Sequence, residues 1–363
     1  MTEPPVAGPS AAPQGYPLYP TQPSEGRPVS FYLAIFLAML LVLSVGLNVV
    51  LLVVGVVRSA AGGLGDLSDS SFEVVTVGGD RAARDRILRL PIEGAIAESA
   101  TPLIGAAGGS VTRVERALRL ARRDESIKGV LLFVNSPGGG VTDSDQIYRE
   151  IRRFRSDTHK PVVALFGDMA ASGGYYVACA CEHILAQPTT ITGSIGVILS
   201  QWNFAEAAKK VGVQQVDIVS ERTPYKAMLS PAKPVDENEV AIARSIVDEM
   251  YDRFVDVVTE GRDALDRGRV EALADGRIYS ASQARAAGLV DGIGTEEDAI
   301  ALLKTRAKID EAKIVEQRRR LGFFDLLTGA RAPATPPTLD RALAALLQGS
   351  TGPRLLYFWP GGR

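Results

Sequence analysis

The chain has 363 residues, enough for about two domains of ~150 residues each. Its 46% hydrophobic and 23% charged residues match ordinary globular usage, which excludes disorder throughout and a polytopic membrane protein. Forty basic residues against 42 acidic ones leave a net charge of −2 with no basic block, so no nucleic-acid partner is expected.

Residues 1–30 hold eight prolines and three glycines without apolar periodicity. Such a segment cannot bury enough surface to offset its ordering entropy and reads as a disordered tail. Residues 31–57, Phe31 to Val57, carry no charge in 27 positions. As a helix rising ~1.5 Å per residue they span about 40 Å, enough to cross a lipid bilayer with some tilt. A cleaved signal sequence has a shorter apolar core, ~7–15 residues, behind a basic start. Only Arg27 precedes this one, so a retained single transmembrane helix is expected. Arg27 and Arg58 stand alone on either side, and charge therefore gives no orientation.

Residues 58–85 read as a linker, and 86–318 as the main domain. Ile87 to Ile92 alternates like a strand, and Ser110 can cap a helix with apolar Val114, Ala117, Leu118 and Ala121. Gly129–Val134 (GVLLFV) and Pro161–Phe166 (PVVALF) are continuous apolar runs, as for central strands buried on both faces. Further strands are expected near Ile184–Ala186 and Val216–Val219, with long helices over 236–262 and 295–318. This βαβ texture predicts an α/β core with a mainly parallel sheet. Residues 319–363 read as a proline-rich linker and a short apolar tail, with a helix near Leu343–Leu347 and an exposed Tyr357-Phe358-Trp359.

The chain lacks Gly-x-Ser-x-Gly, His-Glu-x-x-His, Walker A and Cys-x-x-Cys motifs. Its signals are two glycine-rich turns, each directly after a buried strand, where sites form in open α/β sheets. They are Asn135–Gly140 (NSPGGG) and Gly167–Tyr176 (GDMAASGGYY). Consecutive glycines can aim backbone N–H groups at developing negative charge, as an oxyanion hole requires, or can simply make tight turns. Ser172 stands alone at the start of a helix and is the candidate nucleophile.

A serine nucleophile needs a base. His159 and His183, the only histidines, precede strands and belong at the opposite edge of the sheet. Of nine lysines against 31 arginines, Lys226 differs in having apolar neighbours, in Pro224–Leu229 (PYKAML). Desolvation of an amine favours its neutral form, although a lysine whose stem merely covers apolar surface fits the same pattern. Ser230-Pro231-Ala232-Lys233 matches Ser-x-x-Lys, but its companion motifs are missing. Cys179, Cys181 and His183 would share one face of a strand as metal ligands. The segment instead continues the helix from Ser172, where positions two apart diverge, so no metal and no other cofactor is expected.

Taken in order, NSPGGG (135–140), GDMAASGGYY (167–176), TGSIGV (192–197), YKAMLSP (225–231) and GRIYSASQARAAGLVDGIG (276–294) resemble the signal peptide peptidase A (protease IV) family. The resemblance implies a serine–lysine peptidase with the Clp-protease/crotonase-like fold, a ββα superhelix. It implies Ser172 as nucleophile, Lys226 as general base, Ser194 as the serine that orients the amine, and the N–H groups of Gly139 and Gly173 as the oxyanion hole. It further implies hydrophobic peptide substrates such as signal-peptide remnants, and a homo-oligomeric ring in which neighbours share lysine and serine. The N-terminus would be cytoplasmic and the catalytic domain outside the cell membrane. Two alternatives compete on the same fold: a crotonase-type acyl-CoA enzyme, and a catalytically silent membrane scaffold.

Overall fold

The computed structural model describes residues 29–61, 72–98, 109–319 and 354–358. They fall into two units, residues 1–68 and residues 69–363. The first contains helix α1, Val29–Ala61. Its stretch Ser30–Leu51, with mean hydropathy 2.7, is long and apolar enough to cross a membrane. The expected tail lies outside the described residues except for its last two positions, which open α1.

The second unit is built on a nine-stranded sheet. Its strands are β1 (Phe72–Gly79), β2 (Arg86–Glu93) and β3 (Ile127–Ser136), then β5 (Val162–Ala171), β6 (His183–Ala186) and β7 (Ile191–Gly193), then β9 (Ile278–Ser280), β10 (Gly292–Ile293) and β11 (Lys313–Arg319). Three short strands make a second sheet: β4 (Gly138–Gly140), β8 (Ile198–Ser200) and β12 (Arg354–Phe358). The helices are α2 (Ser110–Arg123), α3 (Val141–Thr158), α4 (Gly173–Ala178) and α5 (Ala205–Lys210), followed by α6 (Glu237–Gly261), α7 (Arg267–Leu273), α8 (Ala281–Ala286) and α9 (Glu296–Ala307).

The main path runs β1-β11-β2-β3-β5-β6-β10, parallel except where β1 meets β11. The apolar runs sit at its centre because both faces are covered. Val130, Leu132 and Val134 of β3 join the larger core, while Leu131 turns to the other face with Ile87, Val163 and Leu165. There Ala299 and Leu303 of α9 cover them. Strand alternation therefore divides one continuous apolar run between two cores.

Strand β5 bends along its length: Val163–Phe166 pair with β6, whereas Met169–Ala171 pair with β7. The far end of β5 thereby leaves the main path and carries Ser172 beyond the sheet's carboxyl edge.

Four expectations are corrected. Residues 72–79, placed in the linker, are β1, and its pairing with β11 extends the domain before residue 86. The helix expected over 295–318 stops at Ala307, Lys308 turns left-handed with φ 56°, and the chain returns as β11 beside β2. Val216–Val219 is no strand, since its alternation finds no ladder partner and Ile218 is 95% exposed. Gly109 rather than Ser110 caps α2, and Glu98 accepts the N–H of Gly109 and of Thr112. In the expected tail, Tyr357 and Phe358 belong to β12, while 343–347 and Trp359 lie outside the described residues.

One ion pair ties the end of α6 to the sheet. Arg262, 6% exposed, donates to both carboxylate oxygens of Asp291, which also accepts the Ile184 N–H at 2.7 Å. Burial alone would raise the Asp291 carboxyl, but the Arg262 hydrogen bonds and charge and the Ile184 N–H hold it below the usual aspartate value. Asp291→Asn should cost about 3 kcal/mol at neutral pH, because it leaves a buried guanidinium without its counter-charge. The ionised pair contributes fully above the unfolded aspartate value of about 4 and loses that contribution as pH falls through the lowered folded value. Urea unfolding of both proteins should therefore show their difference shrinking below about pH 4.

Candidate active site

Three backbone turns meet at the carboxyl edge of the sheet. The first follows β3. The buried Ser136 hydroxyl donates to Gly94 O at 2.6 Å and accepts from Gly138 N at 3.1 Å, which fixes the turn into β4. Gly138 has φ 101°, a backbone state that glycine adopts without strain. Ile96 N donates to Gly138 O and Gly140 N donates to Ile96 O, each at 2.8 Å. A Cβ on Gly139 would stand 1.9 Å from Ile96 O, so no larger residue fits this approach.

The second turn carries Ser172 between β5 and α4. Its side chain is 1% exposed and its backbone has φ 52° and ψ −117°, a conformation costly for a residue with a Cβ. The Ser172 N–H donates to Gly193 O at 2.7 Å. Gly173 opens α4, so its N–H has no carbonyl partner within the helix. Gly174 lets α4 pack on β3, since a Cβ there would meet Ser136 O at 2.9 Å.

The third turn follows β7. Register sets Ala171 beside Gly193, so the next residues, Ser172 and Ser194, lie side by side. Ser194 is 8% exposed with φ 49°, and its N–H donates to Arg277 O at 2.7 Å. Two neighbouring serines, both buried and both left-handed at φ, mark a place where the fold supports local strain.

The structure adds residues that motif reading missed. Thr192 Oγ1 donates to Ala170 O and Thr190 Oγ1 to Gly167 O, each at 2.6 Å, while Asn135 Oδ1 accepts Met169 N at 3.1 Å. These bonds stitch the segment leading to Ser172 onto β3 and β7. The signal available in sequence was only the Thr-Thr-Ile-Thr run before Gly193. Thr192→Val, nearly isosteric, removes one buried hydrogen bond at a cost of about 0.5–1.5 kcal/mol. It should lower both thermal stability and kcat, readable by differential scanning fluorimetry alongside peptide hydrolysis.

Lys226 differs from expectation. It sits on a 3-10 turn, Pro224–Ala227, and is exposed. Its apolar neighbours do not close over it, because Tyr225 beside it is itself exposed. Among the described residues no hydrogen bond or ion pair joins Lys226 to Ser172 or Ser194. The loop is nevertheless held downstream, where Leu229 (φ 56°) donates its N–H to buried Glu239 at 3.0 Å and Lys233 pairs with the same carboxylate.

Cys179 and Cys181 follow the end of α4 and are buried, which pushes the Cys179 thiol up to about 12 and raises that of Cys181 as well. His183 opens β6, with Nδ1 3.7 Å from Asp291 Oδ2. His159 ends α3 in a left-handed conformation. Both histidines precede their strands, away from the edge that carries Ser172.

Comparison with known proteins bears on the whole domain. Residues 155–310 match the profile described as peptidase family S49, and residues 105–191 match that of Clp protease. A protein of Enterococcus faecium provisionally named signal peptide peptidase SppA is 35% identical over 288 residues, covering 77% of this chain and 83% of that one. Protease 4 of Haemophilus influenzae is 36% identical over 217 residues, covering 60% of this chain but 34% of the relative. The chloroplastic serine protease SPPA of Arabidopsis thaliana is 31% identical over 262 residues, covering 66% and 38% respectively.

Proposed function

The chain belongs to peptidase family S49 and is a serine peptidase of the Clp-protease-like fold, and from that premise we propose that it cuts apolar peptides through a Ser172–Lys226 dyad. The observation that carries this reading is the pair of buried, left-handed serines at adjacent strand ends. In the proposed reaction the Lys226 amine takes the Ser172 proton as Oγ attacks the scissile carbonyl. The N–H groups of Gly139 and Gly173 receive the oxyanion. The proton passes to the departing amine, leaving an acyl-enzyme that water then hydrolyses with Lys226 again as base. Ser194 orients the amine by hydrogen bonding.

Exposure of Lys226 in a single chain favours a site shared between copies. An isolated surface amine is strongly hydrated, whereas one covered by a neighbour is desolvated and more readily neutral. The region from β8 to the lysine turn exposes a run of apolar side chains, Trp202, Phe204, Val211, Val213, Val216 and Ile218. A patch of that kind marks an interface. A head-to-tail ring would bury it and bring Lys226 to the Ser172 of the next copy.

Helix α1, whose stretch Ser30–Leu51 is long and apolar enough to cross a membrane, is the proposed anchor. An N-terminus in the cytoplasm and a peptidase unit outside would place the site where cleaved signal peptides leave the bilayer.

The full chain in detergent micelles should hydrolyse a fluorogenic apolar peptide and lose that activity to a serine-directed phosphonate. Coenzyme A should give no saturable thermal shift. Saturable stabilisation by coenzyme A without peptide hydrolysis would overturn this function in favour of an acyl-CoA enzyme.

A further inference from the structure

The start of α6 already has its cap. Asp236 accepts the N–H groups of Asn238 at 2.8 Å and of Glu239 at 3.3 Å. An acid in a first helical turn ordinarily stays in water, where it still complements the helix dipole. Glu239 instead turns inward and is 5% exposed. Burying a carboxylate is costly unless its oxygens are paired, and both oxygens of Glu239 go to one segment. Oε2 accepts the Leu229 N–H at 3.0 Å, and Oε1 pairs with Lys233 Nζ.

Leu229 needs such a hold, because its φ of 56° is a left-handed state that is costly for a residue with a Cβ. Gln201 Nε2 donates to its carbonyl, Phe204 N donates to Pro231 O at 2.6 Å, and Asn203 Nδ2 donates to Lys233 O at 2.8 Å. Residues 229–233 are thereby fixed to the chain after β8 and to α6. The preceding turn has only local bonds among the described residues. Lys226 N donates to Thr223 O and Met228 N to Tyr225 O, each at 3.0 Å. After Lys226, the first hydrogen bond that fastens the loop to the domain is therefore at Leu229, at most about 11 Å of chain away. Helix α6 is a firm mount. Phe254 meets the Tyr176 ring of α4 edge-on at 5.0 Å, and Arg253 donates to Asp145 of α3 at 3.1 Å.

We infer that Glu239 is a positioning residue for the Lys226 amine, fixing the downstream end of the lysine turn by holding the Leu229 N–H. This rests on the Ser172–Lys226 dyad proposed above and adds to it the group that aims the base. Glu239 touches neither substrate nor reacting atoms. Its part is geometric, since proton transfer needs the amine within ~3.2 Å of the hydroxyl, and a displacement of ~1 Å costs about 100-fold in rate. Lys233 has a separate part, neutralising the buried carboxylate. What the turn requires is the acceptor aimed at Leu229, not the charge.

The test compares two full-length chains in micelles, both without the ion pair. Glu239→Gln with Lys233→Met keeps an amide oxygen for the Leu229 N–H. Glu239→Leu with Lys233→Met removes the acceptor. The glutamine chain should retain kcat within about threefold of the unsubstituted protein, and the leucine chain should lose about 100-fold, with KM equal in all three. Measured well below the thermal transition of either variant, that split separates positioning from unfolding. Amide exchange at Leu229 should be faster in the leucine chain alone. In a chain that already carries Lys226→Ala, the leucine pair should leave the rate of phosphonate labelling at Ser172 as it is, because Glu239 acts only through the amine. Equal kcat in the two variants, equal exchange at Leu229, or a further loss of labelling in the Lys226→Ala chain would each overturn the inference. Full activity in Lys226→Ala would remove the dyad and the positioning role with it, and exchange at Leu229 would then still show whether Glu239 fastens the turn.

Discussion

Ser172→Ala is expected to abolish peptide hydrolysis, with kcat reduced about 10⁴–10⁶-fold, the range for loss of a nucleophile that acts as part of a unit. The side chain is 1% exposed and its backbone is already left-handed. Alanine keeps the same Cβ in the same strained turn, so it removes the hydroxyl without adding strain. Thermal unfolding and oligomer size should not change. Any activity that survives would come from substrate binding and the proposed oxyanion donors, the Gly139 and Gly173 N–H groups, which would have no attacking atom beside them. Full activity in the variant would show that a different residue performs the attack.

Lys226→Ala should be nearly as damaging, about 10³-fold or more in kcat, because a serine hydroxyl at neutral pH is a poor nucleophile without a base to take its proton. The exposed position of Lys226 adds a second, sharper expectation. If the amine serves the Ser172 of an adjacent copy, two inactive proteins can repair each other. Chains carrying Ser172→Ala supply intact lysines, and chains carrying Lys226→Ala supply intact serines. Co-assembled in equal amounts in a ring, they should regain about a quarter of the unsubstituted activity, the share of interfaces that pair an intact lysine with an intact serine. Mixing without any recovery would place lysine and serine in the same chain.

Much of this domain could be read from residues alone, for identifiable reasons. The strands holding Val130–Val134 and Val162–Phe166 are buried on both faces, so their sequences are continuous apolar runs. The turns after them stand out because close backbone approach at Gly139 excludes every side chain. Strand β1 was hidden because it lies at a sheet edge with mostly exposed residues. Strand β11 was hidden because Lys313–Arg319 mixes two buried positions with charged ones that also suit a helix. Val216–Val219 misled in the opposite direction, since alternation signals a strand only where a partner strand exists.

The site was legible in part. Ser172 and Ser194 are brought together by the register of β5 with β7, which no spacing along the chain reveals. The environment of Lys226 could not be read at all. Apolar neighbours in sequence desolvate an amine only if the loop folds over it or another surface covers it, and here the turn projects outward. Glu239 and Lys233, which brace that turn, lie on either side of a helix start and give no motif.

Activation of the Ser172 hydroxyl by the Lys226 amine is the step on which the proposed reaction turns. Labelling of the full chain in micelles with a serine-directed phosphonate, followed by mass mapping of the adduct, tests it most directly. One adduct per chain is expected, on Ser172, formed at a rate that collapses in Lys226→Ala. An adduct on another serine, or labelling of Ser172 that proceeds unchanged without Lys226, would contradict it.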